Sequence, residues 1–135
     1  MNSETRPTGS DDARPSLLIA DDDAVVRSTL ASQLGGDFDV VAVASNATEA
    51  IELAGQHRPD AALIDVEMPD GGAQQAVPQI ASSSPATCMV ILSADESSEL
   101  VVELLSAGAI SYVRKGLSGS EISQKLTAAL KAKGA

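Results

Sequence analysis

The sequence predicts an open, doubly wound α/β domain, a parallel sheet with helices on both faces. Three observations carry this. Five apolar runs of four or five residues recur along the chain, each ending in polar or turn residues. Between them the apolar period lengthens to about four, the period of a helix face. Finally, a chain of 135 residues is long enough for one core and too short for two ordinary domains.

Taken in order, residues 1–15 mix Ser, Thr, Asp, Arg and Gly with two prolines and show no apolar periodicity. They read as a disordered leader, with the domain spanning 16–133. Leu17 to Ala20 forms the first strand, and Asp23 caps a helix whose face is Val26, Leu30 and Leu34. Val40 to Ala44 is the second strand. Asn46 and Glu49 then resemble a capping box, opening a helix with Ala47, Ile51 and Gly55 on one face and its terminus near His57. Ala61 to Ile64 is the third strand. The third helix, Ala73 to Ala81, contains Pro78, which in a helix interior would kink or shorten it at a cost of about 3 kcal/mol. Met89 to Leu92 is the fourth strand, followed by a helix from about Glu96 to Ala107 that stops at Gly108, a natural residue for a left-handed cap. Ile110 to Val113 is the last strand. Ser118 and Glu121 form a better capping box for a final helix faced by Ile122, Leu126 and Leu130. Unbroken apolarity in such short strands indicates a sheet covered on both faces.

Composition narrows the function. Nine Lys and Arg stand against 19 Asp and Glu, a net charge of −10, so the surface repels phosphate backbones and anionic lipid. Nucleic acid and membranes are poor partners; proteins, cations and basic surfaces are better ones. No apolar run approaches the roughly 20 residues that span a bilayer, and the N-terminus lacks the apolar stretch of a signal peptide. Cys88 is the single cysteine and lies in an apolar run, where an inert core thiol is expected. A cytoplasmic protein fits these features. With only Phe38 and Tyr112 as aromatics, the core must be built from Ala, Val, Ile and Leu.

In open parallel sheets, functional groups gather beyond the carboxyl ends of the strands. Four of the five runs here end in a reactive group: Asp21, Asp22 and Asp23 after the first, Asp65 after the third, Ser93 after the fourth and Lys115 after the fifth. Glu67 and Asp70 follow closely, so six of the acids are expected to converge. Crowded carboxylates repel one another and raise each other's pKa values, and a divalent cation relieves this. An all-oxygen site suits Mg²⁺, or Mn²⁺, better than zinc. A carboxylate can attack phosphorus to form an aspartyl phosphate, with a lysine, a hydroxyl and a metal stabilising the developing charge.

The segments LLIADDD, PDAALIDVEMPDGG, VILSA and SYVRKG together resemble the receiver domain of two-component response regulators. The resemblance implies a (βα)5 flavodoxin-like fold with strand order 2-1-3-4-5. It also implies that Asp65 is the phosphoacceptor, that Asp21, Asp22, Asp65 and the main-chain carbonyl of Glu67 hold Mg²⁺, and that Lys115 and Ser93 bind the phosphoryl group. Ser93 and Tyr112 would form the switch. The implied partners are a sensor histidine kinase and a downstream protein or output domain, engaged through the face of the fourth helix, fifth strand and fifth helix. A phosphorylation-dependent homodimer is an open arrangement, and the output is binding and not turnover. Three positions depart from the family pattern, one of them Pro78 in the third helix. Gly116 follows Lys115 where many receivers have proline, so no cis peptide is implied there, and Glu67 sets an acidic side chain two residues beyond the acceptor.

Two other readings compete. Asp21-Asp22-Asp23-Ala24-Val25 also fits the opening motif of haloacid-dehalogenase-type phosphatases, with Asp21 as nucleophile and Asp23 as acid/base. That reading lacks a late acidic metal motif, because Glu121 is the only acid after Lys115, and it leaves Asp65 unexplained. The other is a receiver-like interaction module that never carries phosphate.

Overall fold

A computed structural model describes residues 14–94 and 99–134. Strands and helices alternate: β1 (Ser16–Ala20), α1 (Ala24–Leu34), β2 (Asp39–Ala44), α2 (Ala47–His57), β3 (Ala61–Asp65), α3 (Gly72–Ser83), β4 (Cys88–Ser93), α4 (Glu99–Ala107), β5 (Ser111–Arg114) and α5 (Gly119–Gly134). All strand pairs are parallel and the order is β2-β1-β3-β4-β5. The expected doubly wound topology is therefore present, and β3 occupies its centre between β1 and β4.

Strand alternation divides the core in two. Leu17, Ile19, Ala61, Leu63, Val90 and Leu92 face α1 and α5, where Leu30, Leu34, Ile122 and Leu126 meet them. Leu18, Ala20, Ala62, Ile64, Met89 and Ile91 face α2, α3 and α4. Cys88 is buried in the first of these layers. Burial on both faces holds for the inner strands only. At the edge, most of β2 is half-buried and Val43 is 46% exposed, because no further strand covers it.

The caps follow local chemistry. The Asp23 carboxylate accepts from the N–H groups of Val25 and Val26 at 2.8 and 3.3 Å. Ser118 and Glu121 form a reciprocal box: Glu121 N–H donates to Ser118 Oγ, and the Glu121 carboxylate accepts from Ser118 N–H. At α2, Asn46 caps the Glu49 N–H as expected, but the Glu49 carboxylate reaches one residue further back, to Ser45 N–H and Oγ. α4 ends in a two-bond Schellman cap, with Ala109 N–H donating to Leu104 and Gly108 N–H to Leu105. Gly108 sits at φ +137°, and a Cβ there would lie 3.1 Å from the Ala81 Cβ.

Two expectations are corrected. α3 is neither shortened nor stopped by Pro78 and runs from Gly72 to Ser83. Ala73, Ala76, Val77 and Ile80 anchor it to the sheet, while Pro78 and Gln74 lie on its exposed side, where water can take the carbonyl that proline leaves without a donor. The buried face of α2 is Ala47, Ala50 and Ala54, and Gly55 points to solvent. Small side chains let the helix approach the sheet more closely than a face centred on Ile51 would. The leader expected to be disordered lies largely outside the described residues, as does the expected start of the fourth helix near Glu96. Arg14 and Pro15 are described, and both hydrogen bond to the chain around β2: Arg14 donates to the Gly35 and Phe38 carbonyls, and the Pro15 carbonyl accepts from Asp39 N–H.

Candidate functional site

Four strand ends deliver the site. Asp21 directly follows β1, Asp65 closes β3, Ser93 closes β4 and Lys115 directly follows β5. Backbone hydrogen bonds carry the sheet past these ends and fix their level: Asp21 N–H to Ala44, Val66 N–H to Leu92, and Lys115 N–H to Ser93, each at 2.9 or 3.0 Å. Asp21 is fully buried, and Asp65 and Ser93 are 2% and 4% exposed. Gly116 adopts φ +96° beside Lys115, and no cis peptide occurs among the described residues.

A pocket of about 160 Å³ opens between these ends, lined by Asp65, Glu67, Ser93 and Lys115. The Lys115 ammonium donates to Asp65 Oδ2 at 3.1 Å and lies 3.5 Å from Asp21 Oδ2. The second distance is an ion-pair contact without a hydrogen bond, and Asp21 Oδ2 is a buried oxygen with no hydrogen-bond partner. Its other oxygen accepts from Asp23 N–H at 2.9 Å. Asp65 Oδ1 accepts from Glu67 N–H at 3.3 Å.

These contacts set the protonation chemistry. Burial pushes the Asp65 carboxyl up to about 6, and the Asp21 charge adds to the rise, against the Lys115 hydrogen bond and charge and the Glu67 N–H. Burial alone would lower the Lys115 ammonium pKa, but the Asp65 hydrogen bond and the two carboxylate charges outweigh it and hold the pKa above its ordinary value. The lysine is therefore a permanent cation facing a carboxylate that is only partly compensated.

Of the six acids expected to converge, three do. Carboxylate oxygens of Asp21, Asp22 and Asp65 lie within 4.8 Å of one another. The orphaned Asp21 Oδ2 among hard oxygen donors fits a divalent cation of the Mg²⁺ kind. Asp23 is instead occupied capping α1, and Asp70 sits exposed in a left-handed turn at φ +66°. With its carboxylate committed to the helix, Asp23 is poorly placed as the acid/base of a dehalogenase-type phosphatase. Glu67 borders both the main pocket and an adjoining groove that includes Asp22. Tyr112, paired with Ile91 across β4 and β5, packs half-buried against the core on the α2–α4 side and does not line the pocket. One residue escaped the sequence reading: Arg27, whose guanidinium donates to the Asp21 carbonyl at 2.8 Å. Its signal was a cation six residues beyond Asp21, unremarkable in a helix.

Comparison with known proteins agrees with this geometry. The family model of the response regulator receiver domain matches residues 17–127. The transcriptional regulatory protein LnrK of Bacillus subtilis is 37% identical over 108 residues, which is 78% of this chain and 49% of LnrK. PdtaR of Mycobacterium tuberculosis, also a transcriptional regulatory protein, is 38% identical over 117 residues, 85% of this chain and 57% of that one. The chain thus spans about half the length of the curated relatives it matches. The signal receiver domain of the response regulator NarL from Mycobacterium tuberculosis superposes with a TM-score of 0.83 at 26% identity, covering 89% of this chain and 98% of that domain.

Proposed function

The chain belongs to the response regulator receiver family, and from that premise we propose that Asp65 accepts a phosphoryl group from a sensor histidine kinase and that the domain works as a phosphorylation-controlled switch. The observation that carries this is the buried carboxylate of Asp65, held 3.1 Å from the Lys115 ammonium in a pocket that also presents Ser93.

In the proposed reaction an Asp65 oxygen attacks phosphorus, the bond to the donor nitrogen breaks, and the imidazole leaves with the electron pair. The Lys115 ammonium and the Ser93 hydroxyl donate to phosphoryl oxygens, where the negative charge collects. Asp21, Asp22, Asp65 and the Glu67 carbonyl are the residues that would hold Mg²⁺, or Mn²⁺. When bound, the cation supplies the positive charge that phosphoryl oxygens need beside three carboxylates. Forming the acyl phosphate neutralises one Asp65 oxygen as a Lys115 partner and offers new acceptors to Lys115 and Ser93. Ser93 at the end of β4 and Tyr112 on β5 then bias the face of α4, β5 and α5 toward or away from a downstream protein or an output domain. The domain assists its own phosphorylation and dephosphorylation, and its output is binding. It acts in the cytoplasm; no helix among the described residues is long and apolar enough to cross a membrane.

The test is NMR of the labelled domain with Mg²⁺ and beryllofluoride. Shifts are expected at Asp65, Ser93 and Lys115, spreading to Tyr112, and they should be lost in Asp65→Asn. A spectrum that ignores both reagents would favour an interaction module that never carries phosphate.

A further inference from the structure

The polar atoms of Asp21 are almost fully spoken for. Its N–H donates to Ala44 on β2 at 3.0 Å, and its Oδ1 accepts from Asp23 N–H at 2.9 Å. Its main-chain carbonyl lies beyond the last β1–β3 register pair, Ala20 with Ile64. There the Arg27 guanidinium of α1 takes it, at 2.8 Å. The one oxygen left over is the buried Oδ2 that converges with Asp22 and Asp65.

The charge of Arg27 is also felt at the neighbouring turn. Hydrogen bonds from Ser45 lower the Glu49 carboxyl pKa, and the Arg27 charge lowers it further. Ser45 follows Ala44, the residue that takes the Asp21 N–H. Half-buried Arg27 therefore ties the end of β1 to the first turn of α1, and its charge is felt at the β2–α2 turn.

We propose that Arg27 is a positioning residue for the metal-binding carboxylates: by holding the Asp21 carbonyl it fixes the β1–α1 turn so that Asp21 Oδ2 and Asp22 face Asp65. This rests on the receiver reading above. An arginine held on the main chain of one of these carboxylate residues has two effects of opposite sign on a cation. Its charge repels the cation, and its hydrogen bond organises the ligands. Electrostatics alone predicts that removing the side chain tightens Mg²⁺ binding. Positioning predicts that removal weakens it, as losses of the groups that orient metal ligands do, by about tenfold.

Calorimetric Mg²⁺ titration of the whole chain decides by that sign. Arg27→Met keeps the aliphatic stem and loses both charge and donor, and it should raise the Mg²⁺ dissociation constant about tenfold. Arg27→Lys restores a cationic donor and should recover most of the affinity. Thr87→Val, at the far end of the sheet, is the control for lost stability and should bind Mg²⁺ like the wild type. If Arg27→Met fails to fold, Arg27→Gln decides by the same sign. Equal or tighter binding in the neutral variants, with the wild type binding normally, overturns the role of Arg27 and leaves the receiver reading intact. A wild type that binds no Mg²⁺ removes the reading and the inference with it.

Discussion

The two ends of the sheet handle polar groups in opposite ways. At the amino-terminal end, Ser16 and Asp60 bond reciprocally, with Ser16 N–H donating to Asp60 Oδ2 at 2.9 Å and Asp60 N–H to Ser16 Oγ at 2.9 Å. Beside them Thr87 Oγ1 donates to the Pro59 carbonyl and meets Ser84 Oγ, both at 2.7 Å. This network closes on itself. At the carboxyl end, Asp21 Oδ2 has no hydrogen-bond partner, Asp65 is buried against a like charge, and Asp70, Gly71 and Gly72 turn the chain with three successive positive φ angles. Polar groups that serve the fold are satisfied internally; those at the other end are left open to something that binds. Size does not separate the ends. A cavity of about 570 Å³ lies at the amino-terminal end, lined by Arg14, Asp60, Cys88 and Lys133, and its carboxylate, Asp60, is already bonded to Ser16.

The contrast can be broken most sharply at Asp65. Asp65→Asn should abolish phosphorylation by acetyl phosphate, while stability at pH 7 holds or rises by about 1–2 kcal/mol because a poorly compensated buried charge is gone. Chemical denaturation alongside phosphorylation assays checks both halves. Thr87→Val should do the reverse. It leaves the Pro59 carbonyl and Ser84 hydroxyl without their partner and costs about 1–3 kcal/mol in urea unfolding, with phosphorylation unchanged.

The raised Asp65 pKa gives a third prediction, with a definite sign. Its folded value, about 6, lies above the ordinary 3.8, so the folded state holds the proton more tightly. The stability this contributes is fully present below about pH 4 and is lost as pH rises through 6. Without Mg²⁺, wild type minus Asp65→Asn should therefore lose about 1–2 kcal/mol between pH 4 and 7. Saturating Mg²⁺, which holds the carboxylate ionised, should flatten that difference. The smallest expected effect is at Glu67, exposed at the pocket rim where an attacking water would arrive. Glu67→Ala should change the phosphoryl lifetime or Mg²⁺ affinity by roughly two- to tenfold, read by phosphate release and calorimetry, and leave unfolding untouched. If neither moves, Glu67 is only a surface acid.

The same division explains what the sequence disclosed. Inner strands were legible because their unbroken apolar runs report burial on both faces, and the caps at Asp23, Asn46 and Ser118 were legible because they act within three residues. Asp65, Lys115 and Ser93 were legible as strand-end residues. Arg27 was not, since its bond to Asp21 depends on how α1 leaves the turn. The role of Asp23 was ambiguous for a related reason: the same carboxylate suits a helix cap or a metal, and only direction separates them. In α2, alanines give too weak a periodic signal against Ile51 and Gly55 to mark the buried face. At Pro78, the local cost was visible in the sequence and the packing of Ala76, Val77 and Ile80 that offsets it was not.

The central claim is that Asp65 carries the phosphoryl group. After incubation with Mg²⁺ and acetyl phosphate, borohydride reduces an aspartyl phosphate to homoserine, and peptide mass spectrometry locates the converted residue. Conversion at Asp65, absent without Mg²⁺, is the predicted result. Conversion at Asp21 with Asp65 intact would contradict the account and return the chain to a phosphatase-like chemistry.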